Sequence, residues 1–291
     1  MKSLFNLNDK SKYLNTLERI SNVDLKEDSH IFKPHGAIPI RKAAELSLQQ
    51  LDPTDFTPAI IFIRVVLAAN RNYNRHVREN VIRIKRLHPQ LRSISDLDNL
   101  INSMSVDEFY ELWGHKNPRK YNVLLNLIKS TKTLREKYNI TDDFILLKKW
   151  AEDFQILNLR SDEIGKIDDV ALATVQHLRM DFGIDTVKPD QRVMEVIERE
   201  FLGRRVTQRQ AIEFVEFLSS ISGLKVRLLD LIMVNYGSGY YANKTFYSLE
   251  AYQIEIVKNF AKLGISYTII SEGTSLSLSE VNTILSDVKN E

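Results

Sequence analysis

Eleven consecutive positions, Ala59-Ile60-Ile61-Phe62-Ile63-Arg64-Val65-Val66-Leu67-Ala68-Ala69, carry a single polar side chain, Arg64. A stretch this apolar has no polar face to turn to water, so whatever it forms must be enclosed on all sides. It is too short to cross a bilayer, which takes about 20 residues. Its β-branched residues would suit a strand. Yet it is long for one, Thr57-Pro58 makes a good helix entry, and no hairpin signal follows. The run is read as a buried helix around which other helices pack. Composition agrees, because 10 Gly and 7 Pro in 291 residues leave little room for turn-rich β architecture, and the expected fold is all-α.

The chain is long enough for one large or two modest domains. Cysteine is absent, which excludes disulfides, a thiol nucleophile and thiolate-bound zinc or iron–sulfur clusters. Residues 1–10 lack the apolar core of a signal peptide, and no later run reaches membrane-spanning length. The expectation is a cytoplasmic protein, nucleoid-associated in a prokaryote, with no membrane partner. His76, His88 and His177 are isolated, so neither a metal nor a cofactor is expected.

Net charge is only +2, but its distribution is uneven. Residues 64–92 hold eight cations (Arg64, Arg71, Arg75, Arg78, Arg83, Lys85, Arg86 and Arg92) against Glu79 alone. Residues 114–137 hold seven more (Lys116, Arg119, Lys120, Lys129, Lys132, Arg135 and Lys137) against Glu136 alone. Such stretches are either solvated faces or phosphate-binding surfaces. The second is favoured because like charges repel one another unless a polyanion relieves them. Within residues 75–87, Val77, Val81, Ile84 and Leu87 make one apolar helical stripe. Short helices are expected over 95–104 and 106–113, capped by Ser95 and Ser105, with Gly114 stopping the second. A basic turn then leads into a long helix over 121–138, and residues 142–153 also read as helical.

The stretch Thr186-Val187-Lys188-Pro189-Asp190-Gln191-Arg192-Val193 opens a further helix. Pro189 suits a helix entry, and the carboxylate after it would face unpaired backbone N–H groups. Those donors and the helix dipole favour its negative charge. Taken alone, the pattern describes a helix cap. Aimed into a groove, the same carboxylate can stabilise a cation that forms during a reaction.

The order of parts from residue 56 to residue 201 is a buried helix ending in a polar turn, a basic helix, two short helices, a Gly-basic turn with its helix, a hairpin with its helix, and an aspartate. It resembles the helix–hairpin–helix DNA glycosylase superfamily, the endonuclease III-like and alkyl-base glycosylases. In that family Val-Lys-Pro-Asp-x-x-Val carries the catalytic aspartate, and Val187-Lys188-Pro189-Asp190-Gln191-Arg192-Val193 matches it. The resemblance implies a DNA contact at Lys188. It also makes Asn70 the residue that wedges into the duplex, with Arg71 and Tyr73 beside it and Arg75 and Arg78 on the basic helix that follows. Asn70 reads equally as an ordinary turn asparagine, and Tyr73 and Trp113 as base-stacking or core aromatics, with core favoured for Trp113. Gly114-His115-Lys116-Asn117-Pro118-Arg119-Lys120 resembles the family's Gly-x-x-Asn-x-Lys turn, which implies contacts from Lys116, Asn117, Arg119 and Lys120. Gly165 and Lys166 fall in the hairpin, where the family's second glycine is replaced by Ile167. The position of the lyase lysine is Asp169, so no Schiff base with a sugar can form there. Asp168 and Asp169 read either as helix-start carboxylates or as a retuned DNA contact. The implied activity is a monofunctional N-glycosylase acting on double-stranded DNA that contains a damaged or mismatched base. The alternative is a non-catalytic DNA-binding relative with a docking or regulatory role.

The expected organisation is an N-terminal helical segment (1–55), a glycosylase-like core (56–201) and a C-terminal helical region (202–291). Residues 253–285 resemble a helix-turn-helix unit. Its recognition helix would present Glu280 and Asp287, a poor match to base edges, which favours a packing module or a protein partner through this region.

Overall fold

The structure, a computed structural model, describes residues 9–25, 36–50, 56–69, 71, 73–240, 249–274, 276, 278, 281–282 and 285. Among these residues the regular secondary structure is all helical, as composition predicts. They divide into two compact units, residues 1–240 and 241–291.

The apolar run is helix α3 (Pro58–Ala68), preceded by α1 (Lys10–Ser21) and α2 (Ile40–Gln49), and all eleven of its residues are buried. Around it pack α4 (Arg78–Leu87), α5 (Ile94–Asn102), α7 (Pro118–Tyr138), α8 (Asp143–Asp153) and α9 (Leu172–Asp181). α6 (Val106–Trp113) leans on α4. The Phe62 and Phe182 rings meet edge to face at 6.4 Å, tying α3 to the end of α9. Trp113 is wholly buried and is a core residue. A π turn, Tyr73–Val77, opens α4, where Val77, Val81 and Ile84 are buried. Leu87 is 55% exposed, so the stripe expected on this helix ends at Ile84.

The remaining helices of the first unit are α10 (Gln191–Val196, continued by a π turn), α11 (Gln208–Ser222) and α12 (Val226–Tyr240). They pack on one another and on α1 and α2. The chain therefore closes on itself, with residues 10–49 returning to residues 191–240. The boundary expected after residue 201 falls inside this unit, because α12 buries its apolar face against α10 and α2.

Helix ends follow local chemistry. Ser105 and Glu108 form a reciprocal capping box, and Gly114 ends α6 in the left-handed region at φ 70°. α5 is capped by Ser93, paired with Asp96, and not by Ser95, so its cap lies two residues earlier than expected. In the second unit, α13 (Leu249–Lys262) and α14 (Tyr267–Thr274) enclose a small core of Val257, Ile270, Val281 and Leu285, with Phe260, Ala261, Ile265 and Leu276 packed on it. Glu280 and Asp287 of the expected recognition helix lie outside the described residues.

Candidate functional site

Asp190 stands where the turn between α9 and α10 becomes helical. Its backbone is extended (φ −83°, ψ 177°), and Oδ1 accepts the N–H groups of Arg192 at 3.0 Å and Val193 at 3.2 Å. The carboxylate is therefore the N-cap of α10, satisfying two donors the helix cannot satisfy itself. Oδ2 lies 3.6 Å from Nζ of Lys188, and the side chain is 30% exposed. Capping occupies one oxygen and leaves the other toward the lysine. Pro189 has no N–H to place, and the Asp190 N–H closes back on the Lys188 carbonyl at 2.7 Å, which makes the turn tight.

This turn is tied into α12. Asp185 accepts the N–H groups of Val226 and Arg227 at the start of that helix, and the Lys188 N–H donates to Oδ1 of Asp230 at 2.9 Å. Asp230 is 4% exposed. Burial, then repulsion from Asp190, pushes its carboxyl up to about 7 against the opposing pull of the Lys188 N–H, Lys188 and Arg227. Sequence reasoning passed over Asp230. The available signal was a lone acid inside Leu228-Leu229-Asp230-Leu231-Ile232-Met233, a place where a carboxylate is costly without a partner.

Beside Lys188 lies a buried ionic cluster. Arg64 of α3 meets Oδ2 of Asp181 at 2.8 Å, and His177 Nε2 is 3.7 Å from the same oxygen. Arg64 also lies over the Phe56 ring at 4.8 Å, with Arg227 over the same ring at 5.9 Å. Burial, then the charges of Lys188, Arg64 and Arg227, pushes His177 well below the ordinary histidine range. Burial raises Asp181, and Arg64 opposes that rise. The sequence groups Arg64 with the basic stretch of residues 64–92. It is instead a buried partner of Asp181, because α3 has no face that meets solvent.

A second, purely cationic cluster lies at the C-terminal end of α3. Lys120 Nζ donates to the carbonyls of Leu67 at 3.0 Å and Ala69 at 2.5 Å, taking up acceptors that the end of α3 leaves open. Asn117 positions Lys120 by capping α7 through the Lys120 N–H at 3.2 Å. Burial, then the charge of Arg71, pushes Lys120 down to about 8. Burial, Arg71 and Lys120 likewise lower His115. Arg71 Nη1 is buried without a hydrogen-bond partner among the described residues. Among the described residues no carboxylate is a cause of the shift at Lys120 or His115. Gly114 is required here, since a Cβ would sit 2.3 Å from Asn80 Oδ1 and φ is positive. Lys116 is exposed 3.4 Å from Asp107, while Arg78, Arg119 and Tyr73 are exposed. Asn70 lies outside the described residues, as does the side chain of Arg75.

Residues 159–169, where the resemblance places a hairpin, form a run of turns that holds one glycine, Gly165. A Cβ on Gly165 would lie 2.2 Å from the Leu159 carbonyl oxygen, so this glycine is needed for close backbone approach. The left-handed position falls at Asp169 (φ 64°), and Ile167 is buried. Asp168 and Asp169 do not cap α9. Its N-cap is Ala171, with no side-chain bond. Lys166 is exposed and pairs with Glu163 at 2.7 Å.

α3 connects the first two clusters. Arg64 and Ala69 are five residues apart, about 7–8 Å along the helix axis. The hairpin stands at the far end of α9, roughly 15 Å from Asp181. The arrangement offers a partly exposed carboxylate with a lysine beside it, a corner of positive charge at the end of α3, and a turn region that exposes Lys166, Asp168 and Asp169. Among the described residues no group of His, Asp and Glu could hold a metal ion, and no helix is long and apolar enough to cross a membrane. No protein-family model, curated protein or solved structure matches the chain.

Proposed function

We propose that the chain is a monofunctional DNA N-glycosylase that extrudes a damaged or mismatched base from duplex DNA and hydrolyses its glycosidic bond with Asp190. The observation that carries this reading is the Asp190 carboxylate itself. One oxygen is held by two helix N–H groups and the other stands partly exposed beside Lys188. In the reaction the C1′–N bond breaks with its electron pair leaving on the base, and the sugar gains cationic character. Asp190 stabilises that charge or orients the water whose oxygen adds at C1′, the water's proton passing to the carboxylate or to solvent. Extrusion is required because the bond is out of reach in the stack. Arg71, Lys120 and the exposed Lys116 and Arg119 supply positive charge for backbone phosphates. The motif order from 56 to 201, with its resemblance to helix–hairpin–helix glycosylases, is the second support. Asp169 at the lyase position supports hydrolysis without strand cleavage.

Single-turnover base release is measured on duplexes containing uracil, thymine mismatches, oxidised guanine or alkylated adenine. Wild type is expected to release at least one, and Asp190→Asn to lose about 100-fold or more of that rate, the order expected when a key electrostatic group is removed. An Asp190→Asn protein as active as wild type would sink the assignment. A second reading, docking on DNA without chemistry, draws on one observation. The hairpin presents exposed Asp168 and Asp169, and its only lysine is paired with Glu163. Salt-sensitive duplex binding with no base released from any substrate favours that reading.

A further inference from the structure

Asp230 plays no part in the reading above, yet its surroundings make it costly. It is almost fully buried on α12 among Leu229, Ile232 and Met233, all wholly buried. Its one backbone partner is the N–H of Lys188, in the turn that carries Asp190. Lys188 is thereby held at both ends, its amide on Asp230 and its ammonium 3.6 Å from Asp190. Pro189 between them has a fixed φ and no donor, so little freedom remains in the three-residue link.

We propose that Asp230 is the positioning residue of this site: its carboxyl clamps the Lys188 amide from α12 and so sets where the Asp190 carboxylate and the Lys188 ammonium stand. The proposal rests on the reading of Asp190 as the catalytic carboxylate and deepens it. The clamp is also charge-sensitive. With Asp230 pushed up to about 7, its proton is held at lower pH and Asp190 is then the single negative charge of the pair. Above that pH a second negative charge competes for Lys188. The charged groups that face Asp230 are Asp190 and Lys188 from the turn and Arg227 from its own helix. Among the described residues, α1, α2, α10 and α11, which pack on α12, add no charge that shifts it.

Two variants of the full chain separate clamp from charge. Asp230→Asn keeps an acceptor oxygen for the Lys188 amide and removes the charge; Asp230→Leu removes both and suits the apolar surroundings. Single-turnover base release by Asp230→Leu is expected to fall by about 10- to 100-fold, the effect of misplacing a reacting group by about an ångström. Asp230→Asn is expected to keep most of the rate at pH 6 and to lose the change in rate that wild type shows near pH 7. Wild-type rates in Asp230→Leu, or an unaltered pH profile in Asp230→Asn, would overturn the proposal.

A second measurement needs no turnover. Carboxyl carbon-13 spectra of the aspartate-labelled chain are titrated, with the Asp230 signal assigned by its loss in Asp230→Asn. Asp230 is expected to show a step near pH 7 that moves to lower pH in Asp190→Asn. If wild type releases no base but this step is present, the glycosylase reading fails and the clamp stands. Base release that is indifferent to Asp230→Leu, with no such step, leaves the glycosylase reading and removes the clamp.

Discussion

Lys120 shows how one side chain can be committed to structure and still carry chemistry. Its ammonium closes the open carbonyls at the end of α3, and it is held there against burial and the charge of Arg71. Its folded value of about 8 lies below the ordinary lysine value of about 10.4, so between those limits the unfolded chain binds more protons than the folded one. Stability is therefore expected to rise as pH increases from about 8 toward 10. Urea titrations across that range check this, and in Lys120→Met the contribution should vanish, leaving a flatter curve. A bound phosphate reverses the balance by favouring the protonated amine, so duplex binding should take up protons near pH 8 in wild type.

At the scale of elements, α3 was legible because an eleven-residue apolar run with a proline entry admits few alternatives. α6 was legible because Ser105 and Gly114 punctuate it in a way local chemistry alone decides. The start of α5 is not legible in the sequence because Ser93 and Ser95 each have an aspartate three residues on, Asp96 and Asp98, and only the folded chain selects the Ser93–Asp96 box. Arg64 and Asp230 were beyond such reasoning. Their partners, Asp181 and Lys188, stand on other elements far along the chain, and no periodicity encodes that meeting. The distinction has a measurable consequence. Arg64→Met removes one member of a buried pair and should destabilise the fold by about 3–5 kcal/mol, whereas Arg64→Met with Asp181→Leu should recover much of that loss. Equilibrium denaturation of the two variants checks this, and a small loss in the single variant would mean that Arg64 works at a surface after all.

Over the whole molecule, Arg64 is taken out of the basic stretch 64–92 by its buried pair with Asp181, and phosphate is left to cations that reach the surface, such as Arg78 and, in the 114–137 stretch, Arg119. Duplex affinity should therefore fall steeply with salt, and Arg119→Gln should lower the slope of log K against log salt by about one while weakening all duplexes alike. A slope unchanged in that variant would place DNA elsewhere. The closure of residues 10–49 onto residues 191–240 also sets a schedule. A ribosome delivers α1 and α2 first and then the helices around α3, which can settle while α1 and α2 still lack the surface they are to cover. Asp190 emerges before α12, so for some forty residues of synthesis the turn that bears it has no Asp230 to hold it. The reactive geometry is assembled among the last events in making the first unit, and a chain cut short before α12 would carry every residue of the aspartate motif without the anchor that orders it.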